Sequence, residues 1–227
     1  NAPGAGWDNY ADNSYIATYS TIYTSDYATS DSNKLYYMSP SMNGLKIGLS
    51  YTPDLGSSGG KQGGKMTTNA KAAGSYGGAY AFGARYSGDL SGMKVHASVG
   101  YQHLGLDSVL TAGDEDREVI IGSMSAAMGG VKIGASFKTD DMGKASTDVN
   151  VATVGITYSA GAMTIGAGGG TSTTETNGVD SESNNASASI SYKVGPGVVV
   201  GGGVQYQDVD TQTDEALGVV MGVKLSF

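Results

Sequence analysis

The sequence predicts an all-β protein: one transmembrane antiparallel β-barrel whose strands turn apolar side chains outward and polar ones inward. Three observations predict it. The closing stretch places Leu217, Val219, Met221, Val223, Leu225 and Phe227 on one parity, and Gly218, Val220, Gly222, Lys224 and Ser226 on the other. That is a strand of about the length needed to cross a bilayer, and it stops on an aromatic residue. The same hairpin then recurs along the chain: an alternating strand, a short Gly-containing turn, and a returning strand. Finally, the connections are sorted by kind, with short turns at one rim and long polar loops at the other, as in bacterial outer-membrane barrels.

Taken in chain order, about eleven strands are expected, at 33–39, 44–53, 76–88, 92–104, 117–128, 130–139, 147–159, 162–173, 185–195, 198–208 and 217–227. Five short turns join them in pairs: Ser39–Gly44, Ser87–Gly92, Gly129–Gly130, Ser159–Gly161 and Gly195–Gly197. After each turn the chain resumes with a similar run, as in Leu45-Lys-Ile-Gly-Leu-Ser-Tyr51, Met93-Lys-Val-His-Ala-Ser-Val99 and Val131-Lys-Ile-Gly-Ala-Ser-Phe137. The other connections, 54–74, 106–116, 139–147, 173–185 and 208–216, are rich in Gly, Ser, Asp, Thr and Asn and read as loops. A soluble sandwich would not sort its connections this way, and no second sheet exists to cover the apolar parity.

Composition agrees. Hydrophobic residues make up 39%, below the roughly 45–50% of globular domains, yet only 15% of residues are charged, too few for a disordered chain. Gly at 37 and Tyr at 15 suit barrel walls, where small residues leave interior space and Tyr sits where apolar meets wet. No apolar run is long enough for a transmembrane helix, which leaves strands as the way to cross. Cysteine is absent, which is permissive only. Asn1–Trp7 lacks the basic and apolar segments of a secretion signal, so one is expected upstream or already removed. A net charge of −8 argues against nucleic acid as a partner.

Parity assigns the faces. Leu45, Ile47, Leu49, Tyr51, Tyr80, Phe82, Ala84, Tyr86, Val154, Ile156, Tyr158, Val200, Val204 and Tyr206 are expected to face lipid. Tyr86, Tyr158 and Tyr192 fall beside short turns, while Tyr51, Tyr101, Phe137 and Tyr206 fall beside loops, giving two aromatic girdles. The opposite parity carries Ser50, Arg85, Lys94, His96, Ser98, Gln102, Lys132, Ser136 and Lys224, a polar interior dotted with base.

Asn33-Lys-Leu-Tyr-Tyr-Met-Ser-Pro40, followed by Gly44-Leu-Lys-Ile-Gly-Leu-Ser-Tyr-Thr-Pro-Asp54, resembles a stretch of the general bacterial porins, most closely those of alphaproteobacterial type. In that family the stretch follows the constriction loop folded into the pore and forms strands six and seven of sixteen. Strands six to sixteen number eleven, in agreement with the independent count. The resemblance implies a sixteen-stranded barrel when complete, with five further strands preceding Asn1. Residues 1–227 are then a single domain, 1–32 the end of the constriction-loop region and 33–227 the barrel strands. It implies an outer-membrane homotrimer that lets small hydrophilic solutes and ions diffuse passively, in contact with lipid and lipopolysaccharide. The alternative is a smaller complete barrel of about twelve strands, its extra strand within Tyr10–Tyr23, acting as an enzyme or as an adhesion or structural protein.

Charged residues of interior parity are the candidate site, because a pore selects ions by the charges lining it. Lys46, Lys94 and Lys132 each stand second in a returning strand, with Lys193 and Lys224 near the same rim and Arg85 close to its turn. One reading is a lumenal ring of cations that meets permeating anions. The plainer reading, which is preferred, is that lysines at strand ends face bulk water. By resemblance, Asp8 and Asp12 would supply the acids that face a basic wall across the constriction. Arg117 and Lys138, at loop ends, read as solvated. The acid runs Asp114–Asp116, Asp140–Asp141 and Asp208–Glu215 would hold Ca²⁺ or bridge lipopolysaccharide phosphates if they converged. No EF-type loop motif supports that, so a solvated surface is preferred and no cofactor is expected. Catalysis has little support. His96 and His103 lie seven residues apart on one strand, so they face opposite sides about 23 Å apart.

Overall fold

A computed structural model describes residues 29, 34–53, 55, 73–74, 76–210 and 215–226. These form eleven strands: β1 (Leu35–Met38), β2 (Leu45–Thr52), β3 (Tyr76–Leu90), β4 (Met93–Leu106), β5 (Arg117–Met128), β6 (Val131–Asp140), β7 (Thr147–Ala160), β8 (Met163–Thr176), β9 (Val179–Gly195), β10 (Val198–Val209) and β11 (Ala216–Leu225). Each pairs antiparallel with its sequence neighbours in one sheet ordered β1 to β11. Among the described residues β1 and β11 are edges that do not pair with each other, so the sheet is an open wall. Phe227, Asp8, Asp12 and the stretch Tyr10–Tyr23 lie outside the described residues.

Turn chemistry explains the hairpins. Asn43–Gly44, Ser91–Gly92 and Gly129–Gly130 each hold two consecutive positive φ angles, the backbone of a type I′ turn whose twist matches the flanking strands. The Ser87–Gly92 turn expected from sequence is tighter than its composition suggests, because β3 continues to Leu90. A larger departure is the expected 173–185 loop. Here β8 and β9 run on to Thr176 and Val179, closed by Asn177 (φ 53°) and Gly178 (φ 75°). Asn-Gly is a strong two-residue hairpin signal, and it outweighs the Ser- and Thr-rich composition that reads as loop.

The sheet has its apolar face outward. Leu217, Val219, Met221 and Val223 are all more than 60% exposed, as is Val154. Polar residues of the other parity, Ser136, Thr157, Ser172 and Ser189, are under 10% exposed. The buried apolar cluster is small, comprising Leu55, Ala79 and Leu104, with Tyr76 against it. A wall of this kind buries its apolar surface only in a lipid phase. The expected girdle residues stand on this outward face, Tyr51 at 53%, Phe137 at 45% and Tyr192 at 51% exposed.

At the loop rim the connections knit to one another. Residues 107–116 and 141–146 exchange backbone hydrogen bonds from Glu115 N to Gly143 O and from Ala145 N to Gly113 O. The Lys144 ammonium is bound to the Asp114 carboxylate. Asp141 accepts from the Glu118 and Gly143 amides, and the Tyr76 hydroxyl donates to Met142 O at 3.3 Å.

Candidate functional site

Strand register brings the lumenal residues into rows across the wall. One row runs Lys46, Arg85, Ser98, Ser123, Ser136 and Thr153, from β2 to β7. Its hydroxyls are linked, Ser98 Oγ to Ser123 Oγ at 2.8 Å and Ser136 Oγ to Thr153 Oγ1 at 2.6 Å. Two residues toward the short turns, Ser87 stands opposite His96 and their Oγ and Nδ1 atoms are 2.9 Å apart. The next row places Asp89 opposite Lys94, then Ala127 and Lys132. Lys94 and Lys132 are thus two interstrand spacings apart, about 10 Å. Lys224 lies opposite Val199, which in turn faces Lys193.

Lys46 and Arg85 form the one directly opposed pair of cations in the ladder among the described residues. Like charges facing across a strand pair destabilise it, so water or an anion must offset them. Arg85 also sits deeper than sequence suggests. Since β3 extends to Leu90, it lies five residues inside the strand end, while its partner Lys46 stands second in β2, beside the β1–β2 turn. Lys94 and Lys132, second in their strands, keep the position at the short-turn rim that the sequence gives them.

Two cations expected to be merely solvated are not. Arg117 grips Asp140 from Nε at 2.8 Å and Nη2 at 2.5 Å, and Lys138 Nζ lies 3.5 Å from the same carboxylate. The Asp140 side chain is fully covered, and those of Arg117 and Lys138 are 19% and 14% exposed. All three share the lumenal parity. The i, i+2 spacing of Lys138 and Asp140 was the available signal, but placing Arg117 beside them requires the β5–β6 register. His103, as expected, is on the opposite face from His96, where its ring stacks on Tyr80 at 4.7 Å.

Charge is therefore segregated by face. Lys46, Arg85, Lys94, Arg117, Lys132, Lys138, Lys193 and Lys224 all have lumenal parity; among the described strand residues only Asp89 and Asp140 oppose them there. Asp89 caps its own turn by accepting from the Gly92 amide at 2.8 Å, and Asp140 is held by Arg117. Glu118, Asp148, Glu175, Asp180, Glu182 and Asp208 stand on the outward parity near the loop rim.

An outward-apolar, inward-cationic antiparallel wall agrees with the family model described as Gram-negative porin, which matches residues 1–212. The chain belongs to the Gram-negative porin family. That membership places it in the bacterial outer membrane. Among solved structures it is similar to the anion-selective porin of Comamonas acidovorans, with 16% identity and a TM-score of 0.63 over 86% of this chain and 59% of that one. It is similar also to OprB of Pseudomonas putida, with 14% identity and a TM-score of 0.64 over 86% of this chain and 58% of that one. OmpT of Vibrio cholerae, in a trimer form, aligns over 99% of this chain and 74% of its own, with 14% identity and a TM-score of 0.55. At these identities the likeness is one of fold. The porin chain spans less than two-thirds of the first two structures. No curated protein matches it.

Proposed function

We propose that this porin chain builds the wall of a water-filled diffusion channel that passes small hydrophilic solutes and ions down their gradients, with a preference for anions. The observation that carries the reading is the lumenal face itself. It is lined by hydroxyls, glycines and amides, and its strand cations outnumber its acids, both of which are already engaged. A wet lumen of one sign admits counter-ions preferentially and does no bond-making. In this reading the complete barrel has sixteen strands and works as a homotrimer, with Asp8 and Asp12 on the constriction side and no cofactor taking part. The similarity to an anion-selective porin and to an outer membrane protein in a trimer form supports the reading. Planar-bilayer recording tests it. Steady ohmic steps with a reversal potential on the anion side are expected, and silence from correctly folded protein overturns it.

A further inference from the structure

Directly beside the opposed cations, the wall carries a row of three glycines. Gly48 of β2 faces Gly83 of β3, which faces Gly100 of β4, all of lumenal parity. Together they span two interstrand spacings, about 10 Å of bare backbone. Side chains rise on either side, Met38 from β1 and Ile121 from β5, and the whole forms a groove of about 480 Å³. That is within the range of small-molecule sites. The residues between the rows are of outward parity, so the lumenal side of the floor carries the glycine row alone. Packing does not demand glycine at the centre. A Cβ on Gly83 would meet only the Val99 carbonyl oxygen, at 3.8 Å, so the effect of the glycine is to leave room.

One edge of the slot is charged. Lys46 and Arg85 lie one lumenal step from Gly48 and Gly83, about 7 Å along the strands. Both are on the same side, and no ion pair holds either among the described residues. On the other side the next row offers Ser50 and Gln102. A flat apolar floor between Met38 and Ile121, with two cations at one edge, is complementary to a planar apolar body that ends in a carboxylate.

Resting on the channel reading above, we propose that this slot is a recognition subsite for aromatic monocarboxylates. The ring lies on Gly48, Gly83 and Gly100, and the carboxylate is held between Lys46 and Arg85. Such a solute binds in transit instead of merely diffusing through.

The test uses the full-length protein in planar bilayers with benzoate as probe and acetate as the matched control without a ring. Benzoate should depress the chloride current saturably, while acetate at equal concentration and ionic strength should not. Gly83→Val fills the slot without touching the charges, and should raise the half-blocking benzoate concentration relative to acetate by roughly tenfold. Gly48→Val, whose Cβ would sit in ordinary contact with Met38 Sδ at 3.6 Å, fills the same slot and serves if the first variant fails to fold. Arg85→Gln should weaken the block by benzoate as well. Equal action of benzoate and acetate on the wild-type channel overturns the proposal, as does a benzoate block unchanged by filling the slot. A protein that conducts no ions at all refutes the channel reading instead.

Discussion

Neutralising the opposed cations gives the sharpest test of the proposed preference for anions. In Lys46→Gln/Arg85→Gln the β2–β3 ladder keeps its register and loses two like charges that face each other. A permeating ion passing about 6 Å from one of these charges in water feels about 0.7 kcal/mol. With a Debye length of about 10 Å in 0.1 M salt, roughly half of that survives, so the pair contributes about 0.8 kcal/mol. Local anions are then enriched about fourfold and cations depleted by a like factor, so the anion-to-cation permeability ratio should fall roughly fifteenfold in the double variant. At 1 M, where the Debye length is about 3 Å, the same calculation leaves only about a twofold change. The assay is the reversal potential across a KCl gradient, measured at low and at high mean salt. A ratio unchanged at 0.1 M would show that the pair does not face the ion path. A change equally large at both salt concentrations would show that the effect is not Coulombic, and either result refutes the reasoning.

Further outcomes follow from other parts of the wall. Ile156→Arg, on the outward face opposite Ile133 and Ala167, should destabilise the folded protein in lipid by about 2–4 kcal/mol, whereas lumenal Thr153→Arg should cost far less; urea titration in lipid vesicles distinguishes them. Arg117→Gln leaves the covered Asp140 carboxylate with only Lys138 and the Met142 amide and should cost about 3 kcal/mol in the same titration. The Lys144 ammonium holds the Asp114 carboxyl below the usual carboxylate range. A carboxyl depressed on folding stabilises above its unfolded value, and that contribution is lost as pH falls through the folded one. Proteolysis of residues 107–116 and 141–146 should therefore accelerate on acidification in the wild type, and Asp114→Asn should be fast at neutral pH with a flatter profile. Gly143→Ala should open the same loops, because Gly143 has φ +64° and a Cβ there runs into the Tyr76 hydroxyl.

What could be read in the sequence, and what could not, follows from the range of each interaction. Period-two alternation is local, so β5 coincides with the expected 117–128, and among the described residues Lys46, Arg85, Lys94, His96, Lys132 and Lys224 share the lumenal parity that alternation assigns them. Turn residues are local too, yet the Asn177–Gly178 signal is masked by the Ser- and Thr-rich composition around it, which reads as loop. Register is not local. Whether Lys46 faces Arg85 or its neighbour depends on how far β3 runs past the β1–β2 turn, and only the pairing of Leu45 with Tyr86 fixes that. The grip of Arg117 on Asp140 likewise needs the offset of β5 against β6. Faces were therefore legible, and partners across the ladder were not.

The net charge of −8 would suggest that this wall repels anions, whereas the placement of its charges predicts the opposite. A charge acts on a permeating ion over about 10 Å at 0.1 M salt, roughly two interstrand spacings, and low-dielectric lipid surrounds the outer face. Carboxylates such as Asp148, Glu175 and Glu182 stand on the outward parity at the loop rim, on the far side of the sheet from the lumen. Lys46 and Arg85 face the lumen itself. Adding one acid to the lumenal row, as in Ser98→Glu opposite Arg85, leaves the total charge only one unit more negative, yet it should remove most of the local anion enrichment. Adding an acid at outward Asn150 makes the same change in total charge and should leave the reversal potential unaltered. If the two variants shift it equally, the selectivity belongs to the whole chain and not to its lumenal face.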